Sequence, residues 1–474
     1  MGAQPVVIEN CAIATMDGPG HDQAGAEFRS GHVTVAGDRI TAVGEGPAPD
    51  VPRARRIDGT GCLATPGLVN THHHLYQWLT QGRAQQSVLF DWLTELYPVW
   101  ARIDAGQVHA AATAGLAWLA LCGCTTSTDH HYIFPRVPSA GGEADALAAE
   151  VAAAARVGLR FHPCRGSMDL GRSSGGLPPD EIVEDTDAAL AATEDAVSRF
   201  HDPSPGAMVR VAAGPCSPFS VTPRLMRESA EQARGLGVRM HTHLAESREE
   251  DAYCRQALGR SPAEYAEDLG WLGPDVWLAH CVQLDEAAVR RFAATGTSVA
   301  HCPTSNARLG AGIAPVRDLL QAGAAVGLGV DGAASSEGTS VAGELRQALL
   351  AARVRDERGP SALTARQALW LGTRGGARCL GRDDETGALR PGLLADIALW
   401  RLDTLAHDAI GHGPGGGDWG GDPVAALVLG PAAPLELLLV GGAPVVEGGE
   451  LRTADPAEAA REVRAARRRL ADLR

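Results

Sequence analysis

Lysine is absent from this chain of 474 residues, so all 42 of its basic residues are arginine. Without an ε-amino group the chain cannot form a Schiff base or place a lysine in a phosphate loop. It also lacks the carbamylated lysine that bridges two metal ions in some hydrolases. The absence partly reflects biased composition and points to no function by itself, but it excludes these three mechanisms.

Positive charge and long apolar runs are also scarce. The net charge is -15 and the pI is about 5.5, and no arginine-rich stripe offsets this acidity. We therefore expect no nucleic-acid partner. No apolar run reaches the roughly 18 residues that a membrane helix needs, so we expect no membrane partner either. These features favour a small-molecule substrate.

Paired cysteines are missing as well. The 10 cysteines are scattered and never occur as Cys-x-x-Cys, so we expect neither a disulfide framework nor a structural zinc knuckle. The first residues also lack the basic and apolar segments of a secretory leader. Both patterns predict reduced thiols and a cytoplasmic protein.

Strand patterns lie at both ends of the chain, separated by a long middle region. They occur within residues 6–8, 32–35 and 40–43, and return within residues 395–400, 435–440 and 444–446. The simplest arrangement is one discontinuous domain with the two ends of the chain near each other. We predict a small β-sandwich formed by residues 1–64 and 386–474.

The middle region, residues 65–385, alternates short apolar strands with helical segments. The candidate strands are residues 67–70, 125–129, 159–163, 209–213, 238–244, 276–280, 297–301 and 325–331. Eight strands with crossover helices predict an α/β fold whose catalytic domain is a (β/α)8 barrel of the TIM type. An open doubly wound sheet is the alternative, but its glycine-rich dinucleotide fingerprint does not follow the first strand.

A histidine cluster directly follows the first predicted barrel strand. Alternate side chains of an extended segment share one face, so His72 and His74 should point the same way and His73 the opposite way. Two converging imidazoles are half of a first-row metal site. A polar loop at the end of a strand would contain the same pattern.

Polar residues at other strand ends favour the metal site. His243 ends predicted strand five and Asp331 ends strand eight, and barrel active sites lie at the carboxyl ends of the strands. With His72 and His74 they supply three imidazoles and a carboxylate, which suit one divalent ion, most simply Zn²⁺ and alternatively Fe²⁺. Coordination would lower the pKa of a bound water toward about 7 and supply hydroxide at neutral pH.

Three residues are candidate catalytic groups beside that water. Glu246 lies three residues after His243 and could carry a proton to the substrate, although glutamate is also common in the first turn of a helix. His280 could orient the hydroxide or polarise a developing oxyanion, or it could simply end its strand. Asp331 could accept a proton from the attacking water.

These motifs resemble the amidohydrolase superfamily, in its cytosine, guanine and triazine deaminase branch. The matching segments are residues 66–75, 243–246, 300–306, 329–332 and 391–397. The resemblance covers nearly the whole chain. It implies a barrel with a flanking sandwich, one divalent metal ion, hydrolytic removal of ammonia from a ring carbon, and a homodimer. Because the binuclear members use a carbamylated lysine, only the single-metal branch fits a chain without lysine.

A narrower resemblance, to 8-oxoguanine deaminases, rests on residues 74–77, 89–100, 128–135 and 422–429. It implies hydrolytic deamination of a guanine-like oxopurine, 8-oxoguanine to urate and ammonia. Deaminases of isoxanthopterin-like pterins and hydrolases of amino- or chloro-triazines look similar over much of the same ground. They are the alternatives, together with a non-catalytic barrel that binds protein.

Three residues are candidates for binding a nucleobase-like substrate. The amide of Gln77 presents a donor and an acceptor together, which can match the adjacent carbonyl and N–H of a guanine-like ring. His131, just beyond strand two, and His301, at the end of strand seven, are two further candidates. Each of the three could instead be an ordinary loop or strand-end residue.

Overall fold

The computed structural model describes residues 4–135, 145–356, 359–408 and 421–472. The strands of these residues are β1 Val6–Ala14, β2 Glu27–Ala36, β3 Arg39–Glu45, β4 Arg55–Asp58, β5 Cys62–Pro66, β6 Leu68–Asn70, β7 His73–His74, β8 Cys124–His131, β9 Arg160–Ser167, β10 Ala212–Pro215, β11 Met240–Leu244, β12 Val276–His280, β13 Ser298–His301, β14 Val326–Leu328, β15 Asp331–Gly332, β16 Ile397–Arg401, β17 Leu435–Val440, β18 Ala443–Glu447 and β19 Glu450–Leu451.

The α-helices of the described residues are α1 Leu89–Trp100, α2 Ala105–Leu121, α3 Ala146–Val157, α4 Thr186–Phe200, α5 Pro223–Leu236, α6 Arg248–Tyr253, α7 Pro262–Asp268, α8 Glu286–Thr295, α9 Pro303–Arg308, α10 Val316–Ala322, α11 Val341–Arg355, α12 Ala365–Trp370, α13 Gly376–Cys379, α14 Leu405–Asp408, α15 Pro423–Leu429 and α16 Pro456–Asp472. Short 3-10 turns lie at Leu75–Thr80, Arg172–Ser174, Asp180–Ile182 and Gly359–Ser361, and π-helical turns at Cys254–Leu258 and Leu371–Gly375.

Eight parallel strands close into a barrel in chain order, β6, β8, β9, β10, β11, β12, β13 and β14. Closure is made where Leu328 of β14 pairs with Asn70 of β6. The strands are almost wholly buried, as expected when helices cover a parallel sheet from outside. The predicted (β/α)8 barrel is therefore confirmed, and its carboxyl ends bring β7 and β15 together as a short two-stranded pair.

The second layer is a nine-stranded mixed sheet that combines both ends of the chain. Its order is β19-β18-β17-β16-β5-β1-β2-β3, with β4 also paired to β1. The predicted joining of the N- and C-terminal segments into one β structure is confirmed, since β16 pairs antiparallel with β5. The final helix, α16, packs along α2 of the barrel, where Gln107 Nε2 donates to the carbonyl of Ala466 at 3.2 Å. The division at residues 64 and 386 stays a prediction.

Local sequence signals explain the helix limits that the structure has. Helix α5 begins after Thr222, whose hydroxyl accepts from the N–H of Leu225, and ends at Gly237 in the left-handed conformation (φ 70°). Helix α4 begins at Thr186, because Asp185 caps it and residues 180–182 form a separate 3-10 turn. Among the described residues no helix is long and apolar enough to cross a membrane.

Candidate metal centre and reaction pocket

The four predicted ligands come together at the carboxyl end of the barrel. Asp331 Oδ1 lies 3.3 Å from the Nε2 atoms of both His72 and His74. His74 Nε2 lies 3.0 Å from His243 Nε2. All four side chains are buried, so their mutual contacts are not diluted by solvent. Residues far apart in sequence thus place three imidazoles and a carboxylate beside one another.

Hydrogen bonds to the opposite ring nitrogens define which atoms face that point. His74 Nδ1 donates to the carbonyl of His130 at 2.7 Å, and His243 Nδ1 donates to the carbonyl of Cys216 at 2.7 Å. A neutral imidazole with Nδ1 protonated carries a lone pair on Nε2. In the short contact between His74 and His243, the lone pairs of the two Nε2 atoms therefore face each other with no proton between them.

His72 is oriented in the same way through another histidine. His241 Nδ1 donates to the carbonyl of Trp277 at 2.7 Å, so His241 Nε2 is an acceptor. His72 Nδ1 donates to it at 2.7 Å, which leaves the lone pair of His72 Nε2 directed at Asp331. That Nε2 atom has no hydrogen-bond partner among the described residues.

This donor set fits a divalent metal ion. Burial lowers the pKa of His74 to about 4 and the pKa of His72 and His243 well below 6.5, so the rings are neutral ligands at pH 7. Three unprotonated Nε2 atoms and a carboxylate that converge without protons between them repel each other unless a cation lies among them. The tautomers, burial and charge therefore all favour a bound divalent cation.

Asp331 is held in an unusual backbone conformation by its own contacts. Its φ of 58° lies in the left-handed region, and its Oδ2 atom accepts from the hydroxyls of Ser305 at 2.5 Å and Ser335 at 2.9 Å. The serines are functional partners that sequence reasoning missed, and only the serine-rich turns around them hinted at this role.

Glu246 and His280 face the same pocket beside the ligands. Glu246 Oε2 lies 3.7 Å from His280 Nε2. Burial and the negative charge of Asp331 raise the pKa of Glu246 well above 4.5, which favours the protonated form of its carboxyl. The turn that carries it is tied down by Glu250, which accepts from the N–H groups of Ala245 and Glu246 at 2.8 Å each.

His280 has a defined tautomer as well. Its Nδ1 atom donates to Asn306 Oδ1 at 2.9 Å, so in the tautomer that has its single proton on Nδ1 the Nε2 atom presents a lone pair to the pocket. Its φ of 70° is again left-handed, which turns the ring inward from the end of β12. A group that accepts a hydrogen bond from water lies opposite a carboxyl that can donate a proton.

Gln77 lies in the 3-10 turn after His74 and reaches the same pocket. Its side chain is 1% exposed, and neither amide atom has a hydrogen-bond partner among the described residues. Buried amides without partners are rare in proteins, so both atoms of this one are available to a ligand. Aromatic and apolar residues complete the wall: Leu89, Trp92, Leu93, Tyr97, Tyr132, Phe219 and Leu309. The free space is only about 30 Å³, roughly that of a water molecule.

The other two predicted substrate-binding residues lie elsewhere. Both ring nitrogens of His131 are engaged at 2.8 Å, with Glu150 Oε1 and with the carbonyl of Ile133, and its side chain does not line the pocket. His301 lines a different cavity, on the other side of helix α9. His130, which sequence reasoning passed over, stacks on His243 with ring centroids 4.8 Å apart. The spacing of residues along a strand does not reveal such stacking.

We call the side chains of His72, His74, His243 and Asp331 the ligand cradle. A barrel with this ligand cradle and an adjacent acid and base belongs to the class of metal-dependent hydrolases. The chain is a member of the Amidohydrolase family, whose pattern matches residues 63–426. The family resemblance drawn from the sequence is thus confirmed.

Individual relatives narrow the comparison. The chain is 43% identical to an 8-oxoguanine deaminase from Pseudomonas aeruginosa over 90% of this chain and 91% of that protein. It is 38% identical to an isoxanthopterin deaminase from an unknown prokaryotic organism, over 87% of this chain and 89% of the other. The crystal structure of an atrazine chlorohydrolase from Arthrobacter aurescens TC1 complexed with zinc has a TM-score of 0.88 and 33% identity, covering 98% of this chain and 100% of that one.

Proposed function

We propose that this protein is an aminohydrolase that deaminates a guanine-like oxopurine, converting 8-oxoguanine to urate and ammonia. The observation that carries the proposal is the buried, unpartnered amide of Gln77, which faces the same pocket as Glu246 and the ligand cradle. Such an amide pairs with the adjacent carbonyl and N–H of an oxopurine. The 43% identity to an 8-oxoguanine deaminase supports this substrate class.

We further propose that His72, His74, His243 and Asp331 hold one divalent ion, with Zn²⁺ preferred over Fe²⁺. The nitrogen-rich donor set accepts either ion, and the zinc-bound structure of the chlorohydrolase supports zinc. A bound ion of this kind lowers the pKa of water to near 7 and so supplies hydroxide at neutral pH.

The protein side chains then divide the proton transfers. His280 Nε2 accepts a hydrogen bond from the attacking water and orients it, because His280 Nδ1 is committed to Asn306. Asp331 Oδ1 takes the proton that the water loses. Glu246, protonated in its buried site, donates to a ring nitrogen next to the amino-bearing carbon. Asp331 then passes its proton to the amino group, which leaves as ammonia when the C–N bond breaks. The proton of the new hydroxyl returns to Glu246 as the ring carbonyl forms.

Substrate binding requires the pocket to open. A free space of about 30 Å³ is too small for a purine ring, so apolar wall residues such as Leu89, Phe219 and Leu309 must move outward. Once they close over the ring they exclude water and strengthen the hydrogen bonds to Gln77. The narrow, largely apolar wall suits a flat ring without a sugar or a phosphate.

An ammonia-release screen tests the proposal. Metal-loaded enzyme is offered guanine, 8-oxoguanine, isocytosine, isoxanthopterin and adenosine, and we expect 8-oxoguanine to give the highest kcat/KM. His243→Ala should lose activity and metal content together, whereas Asp318→Asn at an exposed position should lose neither. Absence of ammonia from every oxopurine would contradict the proposed substrate class.

A pterin or triazine substrate is the second candidate, favoured by the isoxanthopterin deaminase and chlorohydrolase relatives. A pterin would release ammonia in the same screen, and a triazine would release chloride or an alkylamine instead. Higher kcat/KM for isoxanthopterin than for any oxopurine would transfer the proposal to pterins.

We propose a cytoplasmic location and a homodimer as well. All 10 cysteines are free, which suits a reducing compartment. The dimer follows from the family alone, and sedimentation of the purified protein tests it.

A further inference from the structure

A second cavity lies beside the reaction pocket, between helices α9 and α11. It encloses about 450 Å³, which is within the range of small-molecule sites and far larger than the free space next to the ligand cradle. Helix α9 separates the two spaces, since Leu309 at its end lines the reaction pocket while Ala307 lines the cavity. Of the residues that line this cavity, the proposed reaction uses only Asn306, through its hydrogen bond with His280.

The floor of the cavity is polar and unsatisfied. His301 and Asn306 are each 1% exposed, and both line it. Neither ring nitrogen of His301 has a hydrogen-bond partner among the described residues, and Asn306 Nδ2 also has none. Burial lowers the pKa of His301 to about 3, so the neutral ring offers one donor and one acceptor. A buried polar group left without a partner costs roughly 1–3 kcal/mol, so an occupant that pairs with these atoms is favoured.

The walls carry no charge and are mainly apolar, with Gln347 as a polar side chain among them. Ile313 and Ala351 line the sides, and no Asp, Glu or Arg is among the lining residues. Leu350 and Val354 form the rim, where they are 39% and 76% exposed. An ion would find no counter-charge here, and a fully apolar molecule would leave His301 and Asn306 unpaired. The lining therefore selects a neutral compound with a flat apolar body and one polar edge.

Asn306 also connects this cavity to the reaction pocket. Its Oδ1 atom accepts from His280 Nδ1 at 2.9 Å, while its Nδ2 atom belongs to the unsatisfied floor. A ligand that accepts from Asn306 Nδ2 would hold the amide in the orientation that fixes the tautomer of His280. One side chain is thus shared between the two sites.

We propose that this cavity is an accessory site for a small neutral ring compound with an amide-like edge, read by His301 and Asn306, whose binding is sensed by His280. The ring carbonyl accepts from Asn306 Nδ2, the adjacent ring N–H donates to the acceptor nitrogen of His301, and the ring body lies against Ile313 and Ala351. The proposal assumes nothing about the reaction that the neighbouring pocket catalyses.

The probe for this site is 2-pyridone, a neutral ring lactam, with toluene as a match of similar size without the polar edge. Both are titrated calorimetrically into the full-length, zinc-loaded protein, and 2-pyridone is soaked into crystals. We expect 2-pyridone density between His301 and Asn306, and affinity for 2-pyridone at least about tenfold above that for toluene. His301→Phe should bring the ratio of the two affinities close to one, because phenylalanine retains a ring but lacks the polar nitrogens of histidine.

A second variant tests the space itself. Ala351→Trp should fill the cavity and abolish 2-pyridone binding, whereas Arg346→Trp, on an exposed position of the same helix outside the lining, should not. In protein labelled with ¹⁵N-histidine, 2-pyridone should shift the His280 Nδ1 resonance in the wild type and not in Ala351→Trp. Comparable thermal unfolding of the variants establishes that they are folded.

Four results would overturn the proposal. Density for 2-pyridone only beside Gln77, or equal affinity in wild type and Ala351→Trp, would place the ligand in the reaction pocket. Equal affinity of the wild type for 2-pyridone and toluene would show that His301 and Asn306 do not recognise the polar edge of the ligand. The wild type could also bind no 2-pyridone while Ala351→Trp converts the dimer to a monomer. In that case a second copy of the chain, and not a small molecule, would occupy the cavity.

Discussion

At the scale of single residues, the main feature of the cradle is that a hydrogen bond from the Nδ1 atom orients each histidine ligand. Backbone carbonyls of His130 and Cys216 fix the rings of His74 and His243, and a second histidine, His241, fixes His72. Such partners determine the tautomer and thus the direction of the lone pair. The cradle is therefore built before any cation binds.

Asp331→Asn tests the charge of the cradle. Asparagine retains the size of the side chain and an acceptor for Ser305 and Ser335, but it removes the only carboxylate among the four ligands. We expect metal content and kcat to fall together, by more than the roughly 10- to 100-fold loss typical of partners outside the ligand set. Metal analysis and the ammonia assay measure both, with Asp318→Asn as the exposed control. Full metal occupancy with unchanged turnover would refute the ligand assignment.

At the scale of secondary-structure elements, close approach between neighbours positions the substrate-facing residues. Strands β7 and β15 pair directly, with Gly332 opposite His74. A Cβ atom on Gly332 would lie 1.8 Å from Gln77 Oε1, far inside contact distance. The glycine therefore creates the space in which the Gln77 amide stands.

Gly332→Ala should displace Gln77 and raise KM while the metal content stays at the wild-type level. The matched control is Gly338→Ala, where the added methyl group meets nothing within 4 Å. Steady-state kinetics and metal analysis of both variants measure KM and metal content. If KM were the same in both, Gln77 would not contact the substrate in the proposed way.

Helix α9, which divides the two cavities, is held by helix α11. Glu344 Oε2 accepts from the N–H of Thr304 at 3.0 Å, and burial raises the pKa of Glu344 from 4.5 to about 8. The folded protein then holds this proton more tightly than the unfolded chain. The stabilisation is complete below pH 4.5 and is lost as the pH rises toward 8.

Glu344→Gln should remove this pH dependence while keeping an acceptor for Thr304. Between pH 5 and pH 8 the variant should gain stability relative to the wild type by up to about 1.4 kcal/mol per pH unit. Denaturant unfolding at several pH values in that range measures the difference. A difference that stays constant with pH would contradict a raised pKa.

At the scale of the whole molecule, a buried ion pair joins the barrel to the mixed sheet. Arg160 of β9 bonds to Asp396, just before β16, through contacts of 3.2 Å and 3.3 Å. Asp396 also accepts from Thr386 Oγ1 at 3.0 Å and from the N–H of Gly441 at 2.7 Å. Both charged side chains are almost fully buried, so each supplies the opposite charge that balances the other.

Asp396→Ala should destabilise the protein by about 3–5 kcal/mol, because it leaves the Arg160 guanidinium buried and unpaired. Asp187→Ala breaks an exposed pair with Arg224 and should cost far less, because solvent screens the two charges. Urea unfolding of the two variants gives the comparison. Equal losses would mean that the barrel and the sheet do not depend on this contact.

The sequence by itself determined the barrel, the joining of the chain ends into one sheet, and the strand ends where the histidines and Asp331 stand. Hydrophobic periodicity and the positions of glycine, proline and polar residues are local signals, and a parallel barrel brings all its strand ends to one face. For that reason the sequence alone is enough to group the residues of the site, which are His72, His74, His243, Glu246, His280 and Asp331.

Only the tertiary structure decided which way each side chain points and what it meets. His131 and His301 end strands as His243 does, yet the first pairs with Glu150 and the second faces another cavity. The tautomers of the ligands depend on carbonyls from neighbouring strands, and the role of Gln77 depends on the space left by Gly332. These contacts join residues distant in sequence, so no local pattern encodes them.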